Sequence, residues 1–333
     1  MLSTKVVRRT PCRSRGATTG TDANSSVEVC YHFFLMPTEA EILFSNDGYC
    51  PICRQSARFV ASHEWLRDYY LCSRCGTCPR QRATVEVLNS VAPDWQAQSI
   101  HESSPCIDFF RKECPNYTLS YYFEDAPLGS MKDGQRCENL ERLTFPDETF
   151  DIFLTQDVLE HVFRPDLAVR EIARVLKPGG VHVFTAPKHK HLLKSYARAK
   201  QHPDGSVEHL LSPEYHSSPI GDGGCLVTWD YGADFDDLLS QWSGYLVCNF
   251  IIRDRARGID GEYLDVFVMR KHPANQVPRP SGVTCAARTS KEGTWKARSL
   301  TKHWKAHTSL KGIWMACGFG KRTWKAHTSK ERT

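Results

Sequence analysis

The chain has 333 residues, of which 41% are apolar and 24% are charged, and its formal net charge is +5. This composition excludes a fibrous or wholly disordered protein and provides enough apolar surface for one large domain or two modest ones. The longest apolar stretches reach about eight residues, whereas a membrane-spanning helix needs about 20, so we predict a soluble protein without membrane contact.

The charge is unevenly distributed along the chain. Residues 271–333 contain 14 Lys plus Arg and 2 Asp plus Glu, whereas the rest contains 29 and 36. We therefore expect no nucleic-acid binding by the acidic body. The tail carries short near-copies around Trp295, Trp304 and Trp324, and its basic residues and aromatic rings could bind a single-stranded nucleic acid. A disordered extension over 273–333 is the simpler interpretation.

The N-terminal residues 1–40 are rich in Arg, Thr, Ser and Gly and are predicted to form a disordered leader. Five basic and no acidic residues among the first 21 are also typical of an organellar transit peptide. The 14 cysteines are scattered and no signal peptide is evident, which favours the reducing cytoplasm over a secreted disulfide scaffold.

Residues 41–80 contain two cysteine pairs, Cys50-Pro-Ile-Cys53 and Cys72-Ser-Arg-Cys75, which are separated by 18 residues. Each pair can hold one edge of a tetrahedral ion, and four thiolates leave no position for water. The spacing therefore predicts a structural, zinc-ribbon-like Zn²⁺ site. Cys78 is an alternative fourth ligand, although the paired spacing favours Cys75, and a redox pair or simple reduced cysteines stay open.

From 81 to 272, strand-like and helix-like runs alternate, which predicts an α/β domain with a mainly parallel sheet. Phe150–Thr155 and Val181–Ala186 are predicted strands, and an apolar stripe from Pro165 predicts a helix that ends at Lys177-Pro-Gly-Gly180. Further along, the pattern predicts a helix over 234–242 and an antiparallel hairpin of strands over 244–250 and 263–269.

The run LTFPDETFDIFLTQDVLEHVFRPDLAVREIARVLKPGGVHVFTAP, residues 143–187, closely resembles the second half of class I S-adenosylmethionine-dependent methyltransferases of the "type 11" branch. The resemblance implies a Rossmann-like sheet with helices on both faces and S-adenosylmethionine as the cofactor. Three other runs, at residues 75–83, 101–105 and 214–220, resemble a bacterial subgroup that joins a four-cysteine module to this fold.

The resemblance also implies which residues bind the cofactor. Glu102 ends the first strand, and Ser103 and Ser104 replace the family's glycines but lack the freedom of glycine to adopt positive φ. The second strand, Tyr117–Tyr121, lacks the usual ribose-binding carboxylate, for which Ser120, Glu124 or Asp125 could substitute. The other implied contacts follow the third and fourth strands: Asn139, Leu140, Gln156 and Asp157.

Methyl transfer is an in-line displacement, so a base is needed only for a protonated acceptor. His161, near the cofactor edge, and His216, in the long segment expected to cover the substrate, are the candidate catalytic bases. We expect methylation of an O or N atom of a small-molecule or glycan-like acceptor. The alternatives are a ribosomal-RNA methyltransferase and, because glycines and the ribose carboxylate are missing, a degenerate fold that serves as a zinc-stabilised binding module.

Overall fold

A computed structural model describes residues 37–218, 221–272, 283–289 and 313–319. Most of the predicted leader and most of the predicted tail therefore lie outside the described residues. Within the described part of the chain, no helix has both the length and the apolar character needed to cross a membrane.

The chain begins with a 3-10 turn (Glu39–Glu41) and a small antiparallel sheet that carries the cysteine pairs. Strand β1 (Phe44–Cys50) pairs with β2 (Gln55–Ala61), and β2 pairs with β3 (Tyr70–Cys72). Between β2 and β3 lies one short helix, α1 (Leu66–Tyr69). The β1–β2 turn and the end of β3 place the two cysteine pairs at the same end of this sheet. We refer to residues 41–78 as the cysteine module.

The main sheet has ten strands in the order β19-β18-β16-β17-β9-β8-β4-β5-β7-β6. The central five, β7, β5, β4, β8 and β9, are parallel neighbours, and the strands at both ends include antiparallel ones. The ten strands of this sheet are β4 (Ile100–Ser103), β5 (Tyr117–Tyr121), β6 (Met131–Lys132), β7 (Gln135–Cys137), β8 (Phe150–Gln156), β9 (Leu176–Thr185), β16 (Val247–Ile251), β17 (Asp265–Arg270), β18 (Val283–Thr289) and β19 (Ile313–Phe319).

Helices cover both faces of this sheet, which confirms the predicted fold class. Alternate residues of β8, such as Ile152 and Phe153, enter two different apolar cores because successive strand side chains point to opposite faces. One core includes α2 (Pro79–Val91), α3 (Phe109–Glu113) and part of the cysteine module, and the other includes α4 (Pro165–Val175) and α5 (Phe235–Ser243).

Between β9 and α5 the chain forms three two-stranded sheets over the carboxyl edge of the main sheet. We call this segment, residues 187–231, the cover. Its strands are β10 (Tyr196–Ala197), β11 (Ala199–Gln201), β12 (Val207–His209), β13 (Tyr215–Ser218), β14 (Gly221–Leu226) and β15 (Trp229–Asp230). The cover is the segment in which a substrate lid was predicted.

Several element boundaries differ from the sequence predictions. The helix ends at Val175, and Lys177-Pro-Gly-Gly180 belongs to the start of β9, with a register shift against β8. His161 lies at the end of a 3-10 turn (Leu159–His161). The predicted domain boundary between residues 80 and 81 falls inside α2, so this helix joins the cysteine module directly to the larger domain.

The predicted hairpin is confirmed, because β16 and β17 pair antiparallel. The prediction of a disordered tail differs from the structure at β18 and β19, which extend the sheet beyond β16. Both segments are rich in residues that suit strands, such as Val283, Ile313 and Trp314. The short repeats around Trp295, Trp304 and Trp324 fall outside the described residues.

Candidate functional site

A cavity of about 1440 Å³ lies at the carboxyl ends of the parallel strands, between the cysteine module and the cover. This edge is where open α/β sheets bind their ligands. Six of the eight predicted cofactor-binding residues line the cavity: Ser103, Ser104, Asn139, Leu140, Gln156 and Asp157. The fold therefore brings together residues that are separated by more than fifty positions in the sequence.

The loop after β4 carries the first pair of these residues. Ser104 has φ +53°, the left-handed conformation that favours glycine, and its N–H donates to the Ser120 carbonyl at 2.8 Å. Ser104 thus adopts a positive φ, although serine lacks the freedom of glycine to do so. Such strain persists where the surrounding structure imposes it, and it is concentrated at functional sites.

Glu102 lies behind the cavity wall rather than in it. It is fully buried and accepts hydrogen bonds from the Tyr117 hydroxyl at 2.8 Å and from Gln156 Nε2 at 3.1 Å. Burial raises the pKa of Glu102 to about 7, against the effect of these two donors. Gln156 Oε1 is buried and has no hydrogen-bond partner among the described residues, so an acceptor atom at the cavity wall is available.

Ser120 does not line the cavity. Its side chain is buried, and Oγ contacts His101 Nε2 at 3.0 Å. The residues that follow β5 do reach the cavity, namely Tyr122 and Glu124. Glu124, which the sequence analysis named as a substitute for the ribose carboxylate, is therefore better placed than Ser120 for that contact.

Asn139 and Leu140 follow β7 and form the next part of the wall. Asn139 Oδ1 accepts from the Glu141 N–H at 2.8 Å, which fixes the amide and occupies one of its two lone pairs. Leu140 is 5% exposed and belongs to the core on the α4 side. An apolar face and an oriented amide thus lie side by side at two of the positions that the resemblance implies for cofactor contact.

Asp157 at the end of β8 is held by two arginines that sequence reasoning missed. Although burial opposes ionisation, Arg67 and Arg80 keep the pKa of Asp157 well below its usual range. Arg67 Nη2 donates to Asp157 Oδ2, Arg80 Nη1 lies 3.1 Å from the same oxygen, and Thr185 Oγ1 donates to Oδ1 at 2.8 Å. Arg67 lies on α1 and Arg80 lies on α2. Both are far from Asp157 in the sequence, so no local sequence pattern indicates these contacts.

The structure brings the two predicted bases together. The His161 and His216 rings are 5.2 Å apart, and both line the cavity. His161 Nδ1 lies 2.9 Å from the Leu226 carbonyl oxygen. A carbonyl only accepts, so Nδ1 carries the proton and Nε2 presents its lone pair. Burial lowers the pKa of His161, which keeps the ring neutral.

Glu160 was not predicted as a site residue. Its side chain is buried, and neither carboxylate oxygen has a hydrogen-bond partner among the described residues. Burial raises the pKa of Glu160 well above its ordinary value. Ligand atoms of Glu160, His161 and His216 lie within 4.8 Å of one another, so this group has the donor atoms for a cation.

The four predicted metal ligands, Cys50, Cys53, Cys72 and Cys75, form one cluster in which the Sγ atoms lie within 4.8 Å of one another. The Cys50–Cys75 and Cys53–Cys72 Sγ distances are 3.7 and 3.9 Å. In a tetrahedral site with Zn–S bonds of about 2.3 Å, neighbouring sulfurs are about 3.8 Å apart. The donor set and its spacing therefore fit Zn²⁺.

Residues 117–184 match a protein family described as a methyltransferase domain. A ubiquinone biosynthesis O-methyltransferase of Rhizobium etli is 32% identical over 127 residues, 35% of this chain and 50% of that protein. A ubiquinone/menaquinone biosynthesis C-methyltransferase of Shewanella frigidimarina is 46% identical over 61 residues, 17% of this chain and 24% of that protein. The chain thus spans half or less of the length of these curated relatives.

Among solved structures, an S-adenosylmethionine dependent methyltransferase from Mesorhizobium loti is 15% identical, with a TM-score of 0.37 over 56% of this chain and 97% of that one. A 1,6-didemethyltoxoflavin-N1-methyltransferase of Burkholderia thailandensis is 12% identical, with a TM-score of 0.34 over 59% and 79%. The family match at residues 117–184 spans β5–β9 and overlaps most of the motif run at 143–187, so this part of the chain is similar to a methyltransferase domain.

Proposed function

We propose that this protein transfers a methyl group from S-adenosylmethionine to an O or N atom of a small-molecule or glycan-like acceptor. The observation that carries the proposal is the cavity at the carboxyl edge, with the wall residues of β4, β7 and β8 facing one space. Its volume exceeds the roughly 300–1,000 Å³ of a site for one drug-sized ligand, which leaves room for an acceptor beside the cofactor.

When bound, the cofactor supplies an electrophilic methyl group on a sulfonium, and the chain's residues orient the reactants. His161 is the proposed general base, since it lines the cavity and its Nδ1 bond to the Leu226 carbonyl leaves the Nε2 lone pair to accept a proton. A hydroxyl of the acceptor would pass its proton to Nε2 as the O–CH₃ bond forms and the bond between the methyl group and the sulfonium sulfur breaks. His216, on the cover, supports the proposal by placing a second imidazole beside the first.

An oxygen acceptor is favoured over nitrogen by the relatives' names, since several curated relatives are ubiquinone biosynthesis O-methyltransferases. We propose a hydroxylated small molecule as the first class of acceptor to test, and the identity of the ring or glycan stays open. None of the ten cysteines whose side chains the structure describes forms a disulfide bond, which supports a reducing, cytoplasmic location.

The cofactor proposal is tested by calorimetric titration of S-adenosylhomocysteine, the demethylated product, into the full chain. Micromolar affinity, about −8 kcal/mol, is the expected result. The variant Gln156→Leu, which removes the amide at the cavity wall, should weaken binding. Absence of binding heat from a folded, metal-containing sample would contradict the enzyme proposal and favour the binding-module alternative.

We also propose that the four-cysteine cluster holds one structural Zn²⁺. Elemental analysis of the purified chain should give about one zinc per molecule, and Cys75→Ser should lower this content because it removes one thiolate. Cys114→Ser is the matched control, since Cys114 is a buried thiol outside the cluster. Equal zinc content in both variants would contradict the assignment.

A further inference from the structure

We propose that Arg67 couples the four-cysteine cluster to the methyl-transfer cavity, so that metal at the cluster sets the affinity for the cofactor. The inference rests on the proposed function and deepens it, because it assigns a regulatory contact to the same site. In this proposal Arg67 is a positioning residue that acts through Asp157.

Arg67 lies at the point where the cysteine module meets the cavity. It belongs to α1, which continues directly into β3 and therefore into Cys72. Although it is charged, Arg67 is only 7% exposed. Its Nε donates to the Tyr263 carbonyl at 3.0 Å, and Nη2 donates to Asp157 Oδ2. One guanidinium thus connects the module, the loop before β17 and the carboxyl end of β8.

Asp157 depends on these partners for its orientation. Its backbone is left-handed, with φ +54°, and its N–H donates to the Thr185 carbonyl at 3.0 Å. Two of the three side chains that hold the carboxylate, Arg67 and Arg80, lie on elements adjacent to the cysteine pairs. Only Thr185 belongs to the sheet. The Asp157 carboxylate would therefore lose its hydrogen bond from Arg67 if the module shifted.

The position of Arg67 depends in turn on the cluster. Helix α1 has four residues, which is far too short to be stable without tertiary support. The three short strands of the module converge on the four thiols, and such small modules fold with their metal. Loss of the ion would remove the bonds that hold the ends of β1, β2 and β3 together, and β3 and α1 would move together.

If the two sites are coupled, the coupling must be reciprocal: metal strengthens cofactor binding, and cofactor strengthens metal binding by the same factor. The test compares the full-length wild type with Arg67→Met, which keeps the length of the side chain but removes both hydrogen bonds. Arg58→Met is the matched control, because Arg58 lies on β2 of the same module and is exposed, and its guanidinium donates to Ser45 Oγ rather than to any group at the cavity.

The first measurement is the dissociation constant of S-adenosylhomocysteine, by calorimetry, for zinc-loaded and chelator-treated protein. In the wild type and in Arg58→Met, removal of zinc should weaken binding at least tenfold. The loaded Arg67→Met variant should bind as weakly as the stripped wild type, with unchanged zinc content, and stripping it should cause no further loss. The proposal would be overturned if removal of zinc lowered the affinity for S-adenosylhomocysteine equally in Arg67→Met and in the wild type.

The second measurement uses only loaded, folded protein. Transfer of zinc to a chromogenic chelator is followed with and without saturating S-adenosylhomocysteine. The affinity of the protein for zinc should increase at least tenfold with S-adenosylhomocysteine in the wild type and remain unchanged in Arg67→Met. A wild type that binds S-adenosylhomocysteine but releases zinc at an unaltered affinity would overturn the coupling alone. A wild type that binds no S-adenosylhomocysteine would overturn both this inference and the proposed function.

Discussion

At the residue scale, Ser104 combines a cavity position with a backbone conformation that L-residues rarely adopt. A left-handed non-glycine residue costs about 1–2 kcal/mol, part of which is offset because glycine loses more chain entropy on folding. We expect Ser104→Gly to leave the free energy of unfolding equal or up to about 1 kcal/mol higher. Ser104→Val should lower it by more than about 1 kcal/mol, because a β-branched residue is least compatible with positive φ.

Urea unfolding of the two variants and the wild type measures these differences, and titration with S-adenosylhomocysteine tests the site. Since the glycine variant retains the turn, its affinity should stay within a few-fold of the wild type. A valine variant as stable as the wild type would show that the chain does not hold φ +53° at this position.

His161 supplies a second prediction at the residue scale. His161→Gln should reduce methyl transfer to the acceptor that the wild type uses by about 10²–10⁴-fold, because the proton acceptor is lost. Affinity for S-adenosylhomocysteine should remain within twofold. His209→Gln is the control, because His209 is exposed on β12 and does not line the cavity.

The pH profile gives an independent readout of the same residue. A base is active when it is unprotonated, so activity should rise with pH through the His161 pKa. Burial lowers that pKa, and the acidic limb of the profile should therefore lie below pH 6.5, the ordinary value for histidine. An acidic limb above pH 6.5, or a His161→Gln variant with full activity, would contradict the assignment.

At the element scale, the docking of the cysteine module on the larger domain depends on close backbone approaches. Gly258 has φ +66°, and a Cβ at this position would lie 2.4 Å from the Phe59 ring. The Gly258 carbonyl also accepts from the buried Arg82, whose guanidinium lies 4.8 Å from the Phe59 ring centroid. The packing of β2 against the 3-10 turn Arg255–Arg257 thus requires glycine at 258.

We expect Gly258→Ala to lower the free energy of unfolding by at least about 2 kcal/mol, from backbone strain and the clash with Phe59. Gly205→Ala is the control, since Gly205 has φ +86° but no atom within 4 Å of its Cβ position, so only the strain of about 1 kcal/mol applies. Urea unfolding distinguishes the two, and similar losses in both variants would argue against a tightly docked module.

Some elements and contacts of this fold could be predicted from the sequence, and others could not. Strands β8 and β9 could be predicted because buried parallel strands are short, nearly continuous apolar runs, and the cysteine spacing predicted a cluster that the structure forms. The ion pair between Arg67 and Asp157 could not be predicted, since it joins residues 90 positions apart on different elements. Ser120 shows the opposite failure: its strand was predicted correctly, but its side chain points to His101.

At the scale of the whole molecule, buried histidines and buried carboxyl groups have opposite effects on how the free energy of unfolding depends on pH. Burial lowers the pKa of His101 and His182 to about 3, so between pH 3 and 6.5 the unfolded chain binds two more protons than the native one. These histidines reduce stability as the pH falls below 6.5. Burial raises the pKa of Glu102 to about 7, so between pH 4.5 and 7 the native state binds one more proton, and stability falls as the pH rises.

Glu160 acts in the same direction as Glu102. Between pH 4.5 and 6.5 the native-state carboxyl protons therefore offset part of the histidine effect on the free energy of unfolding. Below pH 4.5 only the histidine effect persists among these four groups, with a slope of about 1.4 kcal/mol per pH unit for each. Loss of the Asp157 ion pairs steepens the decline further, because the pKa of that carboxyl is held low.

Glu102→Gln isolates one of these contributions. The amide can accept from Gln156 and donate to the Tyr117 hydroxyl, so it retains both contacts without a titrating proton. The free energy of unfolding of the variant relative to the wild type should increase between pH 4.5 and 7 by about 3 kcal/mol, which corresponds to the shift of the Glu102 pKa. Metal release in acid affects both proteins equally and cancels in this difference.

Urea unfolding of the full chain between pH 4 and 8 provides the measurement, with the exposed Glu64→Gln as control. A difference between Glu102→Gln and the wild type that does not vary with pH would mean that the pKa of Glu102 is the same in the native and unfolded states, so that Glu102 is ionised in the native state above about pH 4.5. An ionised Glu102 would change the electrostatics of the cavity wall behind Gln156. The pH dependence of the free energy of unfolding therefore tests whether Glu102 is protonated or ionised behind the wall at which the cofactor is proposed to bind.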